Sequence, residues 1–135
     1  MDIVDSFHIA SAGMKVQGDR LRVIAQNIAN ADSIATTPGG QPYRRKTIEF
    51  KNVLDRELGI EKVAVSRYGH DNSEFVKKFD PGSPAADAQG YVLKPNVNTI
   101  IEMTDMKEAQ RAYEANLNVI ETSKNMVQQT LGLLR

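Results

Sequence analysis

Carboxylates are the first residues here that could do chemistry. Glu102, Asp105 and Glu108 lie close together in the C-terminal third of the chain. Acid–base work of the glycosidase kind needs two carboxyls facing each other across a pocket. These three fall instead at the start of a helix-forming segment, where the macrodipole favours acids. His8 and His70 are far apart, and neither has a ligand-spaced partner; a metal site needs three or four N, S or O ligands. With no Cys in the chain, thiolate catalysis, disulfides and Cys-based metal sites are excluded. Pro38-Gly39-Gly40 lacks the spacing of a phosphate-cradling loop. The basic run Tyr43-Arg44-Arg45-Lys46 sits in a chain with 17 basic and 17 acidic residues. Nucleic-acid binding needs a basic footprint that displaces counterions, so this run reads as solvated surface or a salt-bridge partner. The sequence therefore assigns no catalytic, cofactor-binding or metal-binding residue. It implies no nucleic acid and no small-molecule substrate, and it does not read as an enzyme.

The elements around these residues are more informative. Length, 135 residues, fits one domain's worth of polypeptide, and Trp is absent. The apolar content is mostly Ile, Val, Leu, Met and Ala, which suits helix seams better than a thick core. Residues 2 to about 31 contain no Pro. They carry Ile3, Phe7, Ala10, Met14, Leu21, Ile24, Ile28 and Ala31 at alternating four- and three-residue steps, with Gln17 filling one slot. That is a heptad-like stripe on one helix. It ends before Thr37-Pro38-Gly39-Gly40, a strong breaker.

The last zone, from about residue 99, contains no Pro. Thr99 followed by Glu102 fits a capping box. One stripe runs Met103, Met106, Gln110, Tyr113, Leu117, Ile120, Lys124, Val127, Leu131 and Leu134. A second row lies beside it, from Ala109 and Ala112 through Asn116, Val119, Ser123 and Met126 to Leu133. Two adjacent rows make a face wider than one intramolecular partner needs. At 1.5 Å per residue the two helices would be roughly 45 Å and 55 Å long. Two such helices cannot hide faces this wide from water, and assembly is the remedy. Zero net charge lets identical copies approach one another.

The middle zone is rich in Gly, Pro and turn residues. Ile48-Glu49-Phe50, Val63-Ala64-Val65 and Tyr91-Val92-Leu93 look like strand cores. Asp80-Pro81-Gly82-Ser83-Pro84 and Ala88-Gln89-Gly90 look like turns. The expected fold is mainly α, with two long terminal helices pairing as a coiled coil and a small β-rich or extended insertion. The expected domains are 1–34 plus 97–135, a discontinuous helical domain, and 35–96, the insertion. The N-terminus has neither the basic start nor the apolar run of a secretory signal.

The residues around these helices resemble a known family. Arg20 to Ala31, reading RLRVIAQNIANA, is similar to the N-terminal signature of the flagellar basal-body rod family. Thr37 to Lys46, reading TPGGQPYRRK, resembles the family's proximal rod protein of the C type. So does Asp87-Ala88-Gln89-Gly90-Tyr91-Val92 followed by Pro95-Asn96-Val97-Asn98. Glu102-Met103 with Ala109 to Asn116 resembles its C-terminal block. Ser11-Ala12-Gly13-Met14 departs by lacking Ser just before Gly, and Asp80-Pro81-Gly82-Ser83-Pro84 departs by Ser where the family often has His.

The resemblance implies a structural subunit of the proximal rod. Its paired terminal helices would form the inner domain of a tube that carries motor torque through the periplasm. Implied partners are copies of itself, other flagellar rod proteins and the flagellar type III export apparatus, with no cleaved signal peptide. The expected assembly interface is Phe7, Met14, Leu21, Ile24, Asn27, Ile28 and Asn30 on the first helix. On the second it is Met106, Tyr113, Asn116, Leu117, Ile120, Val127, Leu131 and Leu134. A distal rod or hook-type protein is the alternative, though those carry larger insertions; a cytoplasmic coiled-coil adaptor is a further one.

Overall fold

The computed structural model describes residues 3–133. Leu134, at the end of the anticipated stripe, lies outside the described residues. The order of elements is α1 (Ile3–Ala29), β1 (Lys46–Asp55), β2 (Ile60–His70), β3 (Val76–Phe79), β4 (Tyr91–Lys94) and α2 (Thr99–Leu133). Two long helices therefore flank a middle of two small sheets, β1–β2 and β3–β4. The three strand cores expected from the sequence fall within β1, β2 and β4; β3 was not anticipated.

Local chemistry sets the ends of the helices. Asn30 terminates α1: its backbone and side-chain amides both donate to the Gln26 carbonyl, at 3.1 and 2.8 Å. Its own carbonyl then accepts from the Ser33 hydroxyl at 2.8 Å. Carbonyls that the helix would leave bare are satisfied in this way. Asn98, rather than Thr99, caps α2. The Asn98 Oδ1 accepts from the amides of Ile100 and Ile101 at 3.0 and 3.3 Å, which is the N-cap role. Glu102 is thereby released from the expected capping box and turns inward.

The chain divides into two compact units. One comprises Met1–Leu21, Ile48–Arg67 and Lys107–Arg135; the other comprises Arg22–Thr47 and Tyr68–Met106. In the first, the β1–β2 hairpin is clipped by Arg67 to Glu49 at 2.6 Å. Its turn is built on Asp55, whose Oδ1 accepts from the amides of Glu57 and Leu58. The Asp55 carbonyl accepts from Gly59, which has a φ of 67°, a conformation cheap only for glycine.

The helical segments of this unit run antiparallel. Arg20 lies 3.8 Å from Glu108, Gly13 lies against Asn116, and Phe7 and Ser123 line one cleft. Gly13 and Asn116 meet in the seam, and Ala10, Val16, Ala109 and Ser123 are buried on the same two helical segments. Small residues let the backbones approach. A Cβ on Gly13 would come within 2.9–3.0 Å of the Asn116 carboxamide.

The second unit holds a core of Val23, Ile24, Ala85, Val92 and Pro95. Its β3–β4 hairpin is antiparallel, with Val76 opposite Lys94 and Phe79 opposite Tyr91. The Phe79 and Tyr91 rings meet edge to face. The Asp87 Oδ1 accepts from the amides of Gln89 and Tyr91, fixing the loop that precedes β4.

The Gly13 contact yields a prediction. Alanine favours a helix over glycine by about 1 kcal/mol, but overpacking a tight contact costs about 1–3 kcal/mol. Gly13→Ala should therefore lower the melting temperature, and Gly13→Ala with Asn116→Ala should recover most of the loss. Circular dichroism melts of the two variants beside the unaltered chain check this.

Candidate assembly site

Two features stand out, one in each unit. The first is a polar junction in the unit containing Arg22–Thr47 and Tyr68–Met106. Asn27 is 1% exposed, and its carboxamide fills all four hydrogen-bonding positions. The Nδ2 donates to the Lys46 carbonyl at 2.9 Å and to Glu102 Oε2 at 3.1 Å. The Oδ1 accepts from the Tyr43 hydroxyl at 2.8 Å and the Lys46 amide at 2.9 Å. Asn27 thus pairs with both backbone groups of Lys46, as a neighbouring strand residue would.

Glu102 is also 1% exposed. Arg45 Nε donates to its Oε1 at 2.5 Å, so the buried carboxylate is paired and hydrogen-bonded, as a buried charge must be. The Arg45 backbone amide donates to Asn96 Oδ1 at 2.8 Å. The Asn96 Nδ2 in turn donates to the Asp71 carbonyl and the Ser73 hydroxyl, each at 2.9 Å. Arg44 donates to the Asp71 carbonyl at 3.0 Å and stacks over the Phe75 ring at 4.3 Å. The basic run expected as solvated surface or a salt-bridge partner takes the second role at Arg45.

The titrating groups report the same contacts. The Ser73 backbone amide and hydroxyl, with Arg45 and Arg44 behind them, hold the Asp71 carboxyl below its ordinary value. Burial first, and the Glu102 charge second, push the Tyr43 phenol above its ordinary value.

The second feature is the pair of flanks beside the inner seam of the other unit. The expected interface residues distribute unevenly over the molecule. Ile24, 4% exposed, and Asn27 are buried inside this chain's own fold, so they offer a second copy no surface. Met14, Leu21, Ile28, Asn30, Met106, Tyr113, Asn116 and Ile120 are half-buried. Phe7, Leu117, Val127 and Leu131 are exposed, Leu131 by 60%. Val119, Met126 and Leu133, from the second row, are exposed as well. The side chains left bare are thus larger and greasier than those in the seam. Sequence reasoning missed Glu102, Arg45 and Tyr43 as a set. The available signal was spacing: Glu102, Met106, Ala109, Tyr113, Asn116, Ile120 and Ser123 step by four and three, which puts Glu102 in line with the seam.

No group of three or more His, Asp or Glu residues among the described residues could hold a metal ion. No helix among the described residues is long and apolar enough to cross a membrane.

Comparison with known proteins places this architecture. Residues 88–133 match the family described as flagellar basal body rod FlgEFG protein C-terminal. A flagellar basal-body rod protein FlgC of Agrobacterium fabrum is 51% identical over 127 residues, covering 94% of this chain and 91% of that protein. One of Salmonella typhimurium is 41% identical over 135 residues, 98% of each. One of Borreliella burgdorferi is 39% identical across 100% of this chain and 99% of its own. The chain belongs to the flagellar basal-body rod protein FlgC family.

It is a structural rod protein of the bacterial flagellar basal body, and not an enzyme. As a rod protein it assembles with other rod components. Two of the stretches that signalled the family, around Asn27 and around Tyr43–Lys46, supply the two sides of the polar junction, and Glu102 joins them.

Two predictions follow from the junction. Removing one partner of a buried ion pair costs about 3–5 kcal/mol. Arg45→Ala should cost that much in urea unfolding, and Arg45→Ala with Glu102→Leu should cost less than the single change. For Tyr43, a folded-state pKa raised above the unfolded value of about 10 means full stability below that pH and loss as pH rises through the folded value. Alkaline melts should show this decline, and Tyr43→Phe should flatten it while lowering stability near neutrality by about 1 kcal/mol for the lost bond.

Proposed function

We propose that this rod protein is a subunit of the proximal rod that assembles helically, through terminal helices pairing as a coiled coil, and transmits motor torque. The observation that carries this is the inverted burial of α2. Its intramolecular seam holds Ala109, Asn116 and Ser123, while Leu117 and Leu131 stand exposed on one flank and Val119, Met126 and Leu133 on the other. At about 100° per residue the two flanks lie about 160° apart, on either side of the seam. Fully burying one such side chain is worth about 1.5–3 kcal/mol, so covering both flanks supplies a strong drive to associate. Two different surfaces on one chain make heterologous contacts, and these propagate as open helices unless the rotation closes. Neighbours would be copies of this chain and other rod proteins.

The same reading puts the assembled rod across the periplasm, reached through the flagellar type III export apparatus without cleavage of a signal. A weak inner seam suits passage through a narrow channel. Gln17 Oε1 is buried there with no hydrogen-bond partner, which costs about 1–3 kcal/mol. An unpaired buried oxygen in a seam lowers the cost of opening it locally.

Leu117→Asp and Leu131→Asp test assembly directly. Leu131 is 60% exposed, so that variant of the isolated chain should keep its helix content and change stability by no more than about 0.5 kcal/mol. Leu117 is 38% exposed, and its variant should keep its helix content at a cost of about 1–2 kcal/mol for the buried part. Cells carrying either change should build basal bodies without rods and fail to swim. Normal swimming by both variants would refute the assembly surface.

A further inference from the structure

Every copy of this chain carries an apolar knob and an apolar cleft. The knob is the tip of the β1–β2 hairpin. Asp55 holds it rigid by accepting from two turn amides and from Lys62 Nζ at 2.6 Å. Yet the tip presents Val53, Leu54 and Leu58 to solvent, Leu54 by 56%. Val53 and Leu54 are consecutive in β1 and face opposite sides of the hairpin, and Leu58 stands in the turn between the strands; large aliphatic residues exposed on a fixed frame mark a contact surface. The cleft lies between the N-terminal end of α1 and the C-terminal end of α2. Its volume is about 330 Å³, and Ile3, Val4, Phe7 and Val127 are among its lining residues. Ser123, Lys124 and Gln128 complete its lining. A dry apolar cavity of about 150 Å³ already holds one benzene, so the cleft has room for two leucine side chains. No residue of the chain's own hairpin lines it.

We propose that the hairpin tip of one copy seats in the helix-end cleft of a second copy. Charge orients the insertion. Arg56 and Glu57 both stand exposed beside Leu58 on the tip, and Lys124 is among the residues lining the cleft, so the favoured insertion sets Glu57 rather than Arg56 against Lys124. Lys124 is the one charged residue in the α2 stripe. Opposite charges at an interface fix register and suppress wrong partners. Knob and cleft are different surfaces of one chain, so the contact is heterologous and leaves each copy one knob or one cleft to pass on. The inference rests on the rod-subunit reading and adds a specific occupant for the cleft.

The chain has no Cys, so two introduced thiols are the only ones it contains. Leu58→Cys and Val127→Cys are placed together in the full-length chain, and isolated basal bodies are oxidised. A disulfide needs Cα atoms within about 7 Å. The expected result is a ladder of covalent dimers and larger multimers of this chain on a non-reducing gel, absent from either single variant. Basal bodies that contain the chain but give only monomer overturn the inference, as does a disulfide closed within one chain. Wild-type basal bodies without the chain would instead overturn the rod-subunit reading. A second pair of variants covers failure of the cysteine chain to assemble. Glu57→Lys and Lys124→Glu should each reduce rod number severalfold, and the two together should restore it. A double variant no better than the worse single change overturns the inference.

Discussion

A carboxylate removed from water must be met by donors, and one unit of this protein is organised around meeting Glu102. Burying an ion without a partner costs several kcal/mol, a large part of the stability of a small domain. Arg45 and Asn27 supply the donors. Each brings further structure with it. Asn27 also engages the Lys46 backbone and the Tyr43 hydroxyl. Arg45 is anchored at its own amide by Asn96, which reaches on to Asp71 and Ser73. The end of α1, the start of β1, the turn after β2 and the approach to α2 are thus fixed by directional bonds. Apolar packing of equal strength would hold these segments together without choosing one alignment, and a buried polar group choosing a register is its best-attested use.

The other unit follows the opposite logic. Its seam places glycine against asparagine and leaves a glutamine oxygen unanswered. Its larger aliphatic side chains stand on the flanks and on the hairpin tip. A self-sufficient monomer would have the reverse arrangement, because exposed aliphatic groups forgo their burial energy and invite association. In a rod protein association is the function. Strength kept out of the intramolecular seam is available to the intermolecular one.

Much of this was legible in the sequence, and the misses have physical causes. The heptad-like stripes located both helices and came within one column of the true seam. On α1 the expected stripe took in the buried Ala10 and Ile24 along with the Phe7–Met14–Leu21–Ile28 column, but it left out Gly13 and Val16. Periodicity weighs apolar character, while close backbone approach selects small size, and the two criteria point one residue apart. Asn27 stood out as a polar residue in an apolar row, but its partners lie 16 to 75 positions away, and no local pattern reveals whether a buried amide faces its own chain or another. Glu102 looked like an ordinary first-turn acid because helix dipoles and buried ion pairs use the same residue type at the same place. The strand β3, Val76-Lys77-Lys78-Phe79, is exposed at every position, so it has no alternation to detect.

Zero net charge gives the separation of duties its final constraint. Copies of the chain feel no long-range repulsion, so exposed apolar flanks could associate in many wrong ways. Selection among those ways must come from short-range features: fixed charges such as Glu57 and Lys124, and rigid frames such as the Asp55 turn. A flexible hairpin tip carrying the same leucines would bind less selectively and would lose conformational entropy on docking. The polar turn beneath an apolar tip therefore matters as much as the tip. It is the same device that the Glu102 junction uses inside the chain, where directional bonds decide geometry and apolar contact supplies the energy.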